Sequence, residues 1–230
     1  MSIFHPAALV CASCGAQNTV QRTASVNADR RPELRAAILD RSFQQVPCDS
    51  CGMAMRLAPH LTYLDVRRGQ WFMVEPASTI ECWQNAEQAA FATWDRAFGS
   101  QATPQGRALG EALQARLVLG WPALREKLVC ADLGMDDVTL ELLKIDLLRD
   151  MQAPPLADQS ELRLVAGDAA LLRFDWMEVA SERVFEGLEV ARDAYDALVA
   201  AGDDWADLRA HFDGTLLVDW RRLLFMEAGA

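Results

Sequence analysis

Two short stretches decide how this chain is read: Cys11-Ala12-Ser13-Cys14-Gly15 and Cys48-Asp49-Ser50-Cys51-Gly52. Each is a C-x-x-C-G hook, and a pair of hooks is the sequence form of a four-thiolate zinc site. Glycine after the second cysteine suits a tight knuckle, whose backbone needs positive φ while its amides turn toward sulfur. Two other chemistries use the same residues, a pair of redox dithiols or an iron–sulfur cluster. A thioredoxin-like C-x-x-C caps a helix after a buried strand, whereas each hook here runs into glycine and a strand-like segment. The favoured expectation is one structural zinc ion on Cys11, Cys14, Cys48 and Cys51, with no coordination position left for catalysis.

Outward from the hooks, the apolar residues Ile3, Phe4, Leu9 and Val10 predict a strand leading into Cys11, and weak alternation over 16–27 predicts a strand leaving it. Pro32 opens a short helix between the hooks, with Leu34, Ile38 and Leu39 on one face and Asn27 or Asp29 as its cap. Residues 42–47 read as a strand delivering Cys48. Alternation over 61–66 and 70–75 about the turn at Arg67-Arg68-Gly69 predicts a hairpin. A domain boundary is placed near residue 79.

Beyond it, helical spacing over 83–98 offers Ala90, Phe91, Trp94 and Phe98 as a buried stripe, and 99–106 reads as a loop. A strand over 113–121, a helix opened by Pro122 and running to Cys130, and a helix capped by Asp136 or Asp137 follow. The apolar side of that last helix carries Leu140, Leu143, Leu147 and Leu148. Pro154-Pro155 marks a hinge or sub-boundary near 152–158. Gly167-Asp168 sits in the turn of a hairpin over 161–177, followed by a strand at 183–190 and a helix at 191–201. A short helix over 204–212, a last strand over 215–220 and a terminal turn or helix complete the chain. The predicted class is α+β: a zinc-ribbon-like β domain with an inserted helix (1–79), then an acidic, mainly antiparallel α/β body (80–230).

At 230 residues the chain can bury a real core, and its composition is ordinary for a globular protein. Its net charge of −11 is unevenly spread. Residues 1–79 carry eight arginines against six carboxylates, and residues 80–230 carry 14 basic side chains against 27 acidic ones. An acidic body repels phosphate backbones, so nucleic acid is disfavoured as a partner. Only two of the 22 basic residues are lysine, which reads as a habit of composition. No apolar run approaches the roughly 20 residues of a membrane span, and the N-terminus lacks the basic n-region of a signal peptide. The expected compartment is the cytoplasm, where six cysteines point to metal rather than to disulfides.

The order of these features resembles the CpXC family, bacterial and archaeal proteins named for a repeated C-x-x-C motif. The resemblance rests on Cys11-x-x-Cys14-Gly15, the helix from Pro32-Glu33-Leu34-Arg35 to Leu39-Asp40, Phe43, Cys48-x-x-Cys51-Gly52, and Leu64-Asp65 with Trp71-Phe72. It extends through Gly120-Trp121-Pro122 to Lys127 and Gly134-Met135-Asp136 to Ile145, covering about residues 8–150. The family's name records proline inside the motif, where this chain has Ala12 and Asp49; neither is a ligand position. The resemblance implies a paired-knuckle metal domain and carries no catalytic residues with it.

The remaining chemistry-bearing residues are few. His5 and His60 flank the hooks, and four cysteines leave them no ligand role. Asp207 and His211 are four apart on a predicted helix and read as a surface pair. Cys82 and Cys130 read as buried apolar thiols. Arg30, Arg31, Arg67 and Arg68 are the basic clusters of the first domain, able to meet phosphate or an acidic protein surface. No hydrolase, nucleotide-binding or metalloprotease motif is present. The function expected is a non-catalytic, zinc-stabilised binding or scaffolding module with a protein partner. The alternatives are nucleic-acid binding through those arginines, and an enzyme working from the C-terminal body.

Overall fold

The computed structural model describes residues 2–151 and 160–227. The chain is α+β and divides into two compact units, residues 1–76 with 92–115, and residues 77–91 with 116–230. The chain therefore passes between units at 76/77, 91/92 and 115/116. The Pro154-Pro155 hinge lies outside the described residues.

In the first unit, strands β1 (Ile3–Val10) and β2 (Gln17–Asn27) form a long antiparallel hairpin with Cys11 and Cys14 in its turn. Helix α1 (Pro32–Leu39) follows, then the short antiparallel pair β3 (Gln45–Pro47) and β4 (Ala54–Arg56), which holds the second hook in its own turn. The hairpin β5 (Leu61–Asp65) and β6 (Gln70–Glu75) extends the sheet, whose first four strands run in the order β1–β2–β5–β6. Ser25–Asn27 of β2 pair in parallel with Thr62–Leu64 of β5. A parallel pair needs a long crossover, and residues 28–60, carrying α1 and the second hook, supply it. The core of the unit gathers Val26, Ile38, Leu57, Tyr63, Trp71, Phe72 and Val74, all buried. Tyr63 stacks on Phe72 at 5.7 Å between ring centroids.

The cap of α1 departs from expectation. Arg31 occupies the N-cap position with no side-chain bond. Asn27 Oδ1 accepts instead from the Arg30 N–H at 3.1 Å, and the Asp29 carboxylate accepts from the Val66 and Arg67 N–H groups at 2.7 and 3.2 Å. Asp29 thus stabilises the β5–β6 turn. Pro32 at the first helical position lacks an N–H to satisfy, which makes a side-chain cap less necessary.

Gln44 ties the arm bearing the second hook to β2. Its Oε1 accepts from the Thr23 N–H at 3.0 Å and its Nε2 donates to the Gln21 carbonyl at 2.9 Å, imitating the edge of a neighbouring strand. It holds a left-handed backbone (φ 58°) to do so. Replacing Gln44 by alanine should lower the stability of this unit by about 1–2 kcal/mol in urea denaturation, the worth of two net hydrogen bonds.

Helix α2 (Trp83–Phe98) and strand β7 (Gln114–Leu119) run through the divisions between units. Of the expected stripe, Ala90 is buried, Trp94 and Phe98 are half-buried, and Phe91 is exposed. The loop expected over 99–106 is cut short by helix α3 (Pro104–Gly110), whose Thr103 cap accepts from the Gly106 N–H at 3.2 Å.

In the second unit, α4 (Trp121–Asp132) and α5 (Asp137–Asp150) precede an antiparallel sheet of β8 (Ser160–Gly167), β9 (Leu171–Glu178) and β10 (Val184–Ala191) in the order β10–β9–β8. Helices α6 (Arg192–Ala200), α7 (Ala206–Ala210) and α8 (Arg221–Glu227) follow. Leu140, Leu143, Leu162, Leu164, Leu172, Phe174 and Trp176 form its main core. No helix among the described residues is long and apolar enough to cross a membrane.

The strand expected over 215–220 does not form. Leu216–Trp220 are buried but join no ladder. Their backbone is satisfied one group at a time, mostly by charged side chains. Glu87 Oε1 accepts from the N–H groups of Leu216 and Leu217 at 2.8 and 2.9 Å, and Glu141 Oε2 accepts from the Trp220 N–H at 3.1 Å. Lys127 Nζ donates to the Val218 carbonyl at 2.8 Å, and the Leu117 N–H donates to the Leu216 carbonyl at 2.9 Å. A buried apolar run can be a strand only if a neighbouring strand answers its backbone; here side chains answer it.

Candidate metal centre

The two hooks fold identically. In the first, the Cys11 N–H donates to the Ala16 carbonyl at 2.9 Å and the Gly15 N–H to the Cys11 carbonyl at 2.8 Å. In the second, the Cys48 N–H donates to the Met53 carbonyl at 2.8 Å and the Gly52 N–H to the Cys48 carbonyl at 2.9 Å. Gly15 and Gly52 both have φ 72°, in the left-handed region open to glycine, which is why each hook ends in that residue. Ala12 and Asp49 occupy the second position of each turn without disturbing it.

These knuckles bring the four sulfurs of Cys11, Cys14, Cys48 and Cys51 within 4.8 Å of one another. Cys11 Sγ lies 3.7 Å from Cys51 Sγ and Cys14 Sγ lies 3.6 Å from Cys48 Sγ. A disulfide needs about 2.05 Å between sulfurs, so neither contact is one. A tetrahedral ion with Zn–S bonds of about 2.3 Å has sulfur–sulfur edges of roughly 3.8 Å, which the observed contacts match. The donor set suits a soft or borderline cation in a closed four-sulfur shell. The four cysteines are positioned to hold one metal ion.

The protons of the free thiols are unevenly held. The backbone amides of Cys51 and Ser50 pull the Cys48 thiol down to about 6, against the effect of burial. The Ala16 amide lowers Cys14, but the sulfurs of Cys51 and Cys48 beside it raise it to about 12. Four adjacent sulfurs resist carrying four charges without a cation, and an ion that replaces their protons removes that conflict. Little apolar packing supports this tip: Cys11, Cys48 and Met55 are its only buried cluster members, flanked by Leu9, Ala16 and Val46.

A family model, described as CpXC protein, matches residues 9–144, more than half of the chain. The chain belongs to the CpXC family. No curated protein and no solved structure matches it. The matched region of this CpXC chain spans both hooks, α4 and most of α5.

The other residues singled out in the sequence lie apart from the sulfurs. The metal-competent group among the described residues contains the four cysteines without a histidine. His60 Nδ1 pairs with Glu75 Oε2 at 2.5 Å, while His5, Asp207 and His211 are exposed. Arg31 pairs with Glu33, Arg67 with Asp29 at 3.6 Å and Arg68 with Asp65 at 3.0 Å. Arg30 is exposed. Cys130 is a buried thiol as expected, pushed up by burial, with its Sγ donating to the Met135 carbonyl at 3.4 Å. Cys82, expected to be buried, is exposed because it closes a 3₁₀ turn (Ala77–Cys82) with no buried residue.

The second unit holds a feature the hydrophobic periodicity concealed. Five cations (Arg116, Lys127, Lys144, Arg163, Arg221) and five carboxylates (Glu126, Asp137, Glu141, Glu161, Asp219) form one ion-pair network. Lys144 Nζ, fully buried, lies 2.9 Å from Glu126 Oε2 and 2.8 Å from Glu141 Oε1. Lys127 Nζ lies 2.9 Å from Asp137 Oδ2, which also accepts from Arg116 Nε at 2.8 Å. Arg163 bridges Glu126 at 2.7 Å and Asp219 at 3.1 Å, and Glu126 Oε1 accepts from the Leu164 N–H at 2.8 Å. Burial alone would raise Glu126, but Lys144, Arg163 and Lys127 outweigh it and hold its carboxyl at about 2. Formally neutral and mutually paired, the network reads as the polar core that joins α4, α5 and β8.

Proposed function

We propose that this CpXC chain is a zinc-stabilised binding module, in which the metal is structural and the surfaces it holds engage a protein partner. The closed four-sulfur set carries this reading. An ion surrounded by four thiolates has no open position for water or substrate, and the thin packing beneath the hooks gives the metal a fold to support. Zinc is the ion such paired knuckles ordinarily hold. Cross-linking tests the binding role. A partner captured by the zinc-loaded chain should be lost after chelation, and an unchanged partner set without zinc would contradict it.

Protein is preferred to nucleic acid as the partner on electrostatic grounds. The net charge is −11, and three of the four arginines considered for phosphate contact are paired with the chain's own carboxylates. A native gel shift with duplex and single-stranded DNA and RNA should show no retarded band even at low salt. A band that weakens steeply with salt would favour phosphate contacts through these arginines.

A further inference from the structure

Asn18 is one residue into β2 and only 4% exposed, a buried amide beside the first hook. Its Nδ2 donates to the Ala16 carbonyl at 3.0 Å, the same carbonyl that accepts from the Cys11 N–H. The same nitrogen lies 3.7 Å from Cys48 Sγ and 3.9 Å from Met55 Sδ, both in the second hook's arm. Its Oδ1 accepts from the Asp49 N–H at 2.8 Å. A backbone N–H can meet only an acceptor, so this contact orients the amide and turns both of its N–H groups toward Ala16 and Cys48. One side chain therefore grips both knuckles across 30 residues of sequence. The grip depends on Asp49 having an N–H, which a proline at that position would lack.

Groups that hydrogen-bond to metal ligands orient them and temper their charge. Four thiolates around a divalent cation leave about two negative charges, and a buried N–H aimed at one sulfur stabilises that excess. We infer that Asn18 is a positioning residue of the metal centre: it locks the two knuckles in register and donates to the Cys48 sulfur, and so sets how tightly the ion is held. This inference rests on the reading of the four cysteines as a metal site.

The test uses the full chain loaded with zinc, and compares wild type with Asn18→Ala and Asn18→Asp. Zinc affinity is read by competition with a chelating dye. The sulfur-to-cobalt charge-transfer band of the cobalt-loaded protein reads the Cys48 environment. Asn18→Asp keeps the acceptor for Asp49 but sets an anionic oxygen against the sulfur, so it separates donation to Cys48 from simple bracing. Both variants should bind zinc about 10–100-fold more weakly, and Asn18→Asp should shift the cobalt band. Circular dichroism at saturating zinc confirms that each variant is folded; should Asn18→Ala fail to fold, the near-isosteric Asn18→Asp carries the test. Wild-type affinity and an unmoved band in Asn18→Asp would overturn the inference while leaving the metal reading intact. Absence of zinc from the wild type would instead overturn the metal reading.

Discussion

Replacing Cys48 by serine should weaken zinc binding by more than about 100-fold, beyond the roughly 10–100-fold effect of residues outside the ligand shell. It should also open the hooks. Cys48 is buried, its sulfur faces Cys14, and its N–H and carbonyl make the two knuckle bonds that set the second turn. With one thiolate gone, three sulfurs cannot close the tetrahedron, and Cys11 and Met55 alone remain of the buried cluster under the tip. Hydrogen exchange is the fitting readout. Amides of residues 9–20 and 44–57 should lose protection, while those of β8–β10, in the second unit's large apolar core, keep theirs. Cys82→Ser, at an exposed position outside the cluster, should leave both zinc and protection unchanged.

Lys144→Ala should be the most damaging single change in the second unit, at about 3–5 kcal/mol in chemical denaturation. It leaves Glu126 and Glu141 facing each other in a site with no access to water. Lys144→Arg should also destabilise, because a planar fork cannot replace a compact ammonium between two carboxylates in a closed core. The network predicts an acid response whose sign follows from its carboxylates. Glu126 is held at about 2, below the roughly 4.3 of an unfolded glutamate. Its contribution is therefore present above the unfolded value and is lost as pH falls from about 5 toward 2. Asp137 is lowered by Lys127 and Arg116 in spite of burial, and acts in the same direction. Glu141, raised chiefly by burial, opposes them and recovers part of its cost on protonation. With two depressed groups against one raised group, denaturation midpoints at pH 7, 5, 4 and 3 should fall steadily below pH 5. A flat profile would contradict the network's role.

The local elements and the four-cysteine cluster were legible in the sequence because their signals are local. Gly15 and Gly52 mark left-handed turns, Pro32 starts α1, and Gly167-Asp168 sits at the β8–β9 turn. The sequence offered Asp136 or Asp137 as the cap of α5, and Asp136 takes that place, accepting from the Thr139 N–H at 2.7 Å. Its neighbour Asp137, read the same way, is instead committed to Arg116 and Lys127. The ion network was illegible because its members come from five segments, and a charged residue on an amphipathic helix looks solvated until its neighbours are known. One clue was available. The chain's only two lysines, Lys127 and Lys144, are both buried in the network, while the surface cations are arginine. Both place a compact ammonium among buried carboxylates. The segment 215–220 failed for a related reason, since its backbone partners are side chains distant in sequence.

A zinc-stabilised fold requires that the four thiolates hold one zinc ion. X-ray absorption at the zinc edge, on the purified 230-residue chain with metal content measured on the same sample, decides it. One zinc per chain, bound by four sulfurs at about 2.3 Å, is the expected result. A fully folded chain without metal, or a zinc shell containing nitrogen or oxygen in place of a cysteine sulfur, would contradict it.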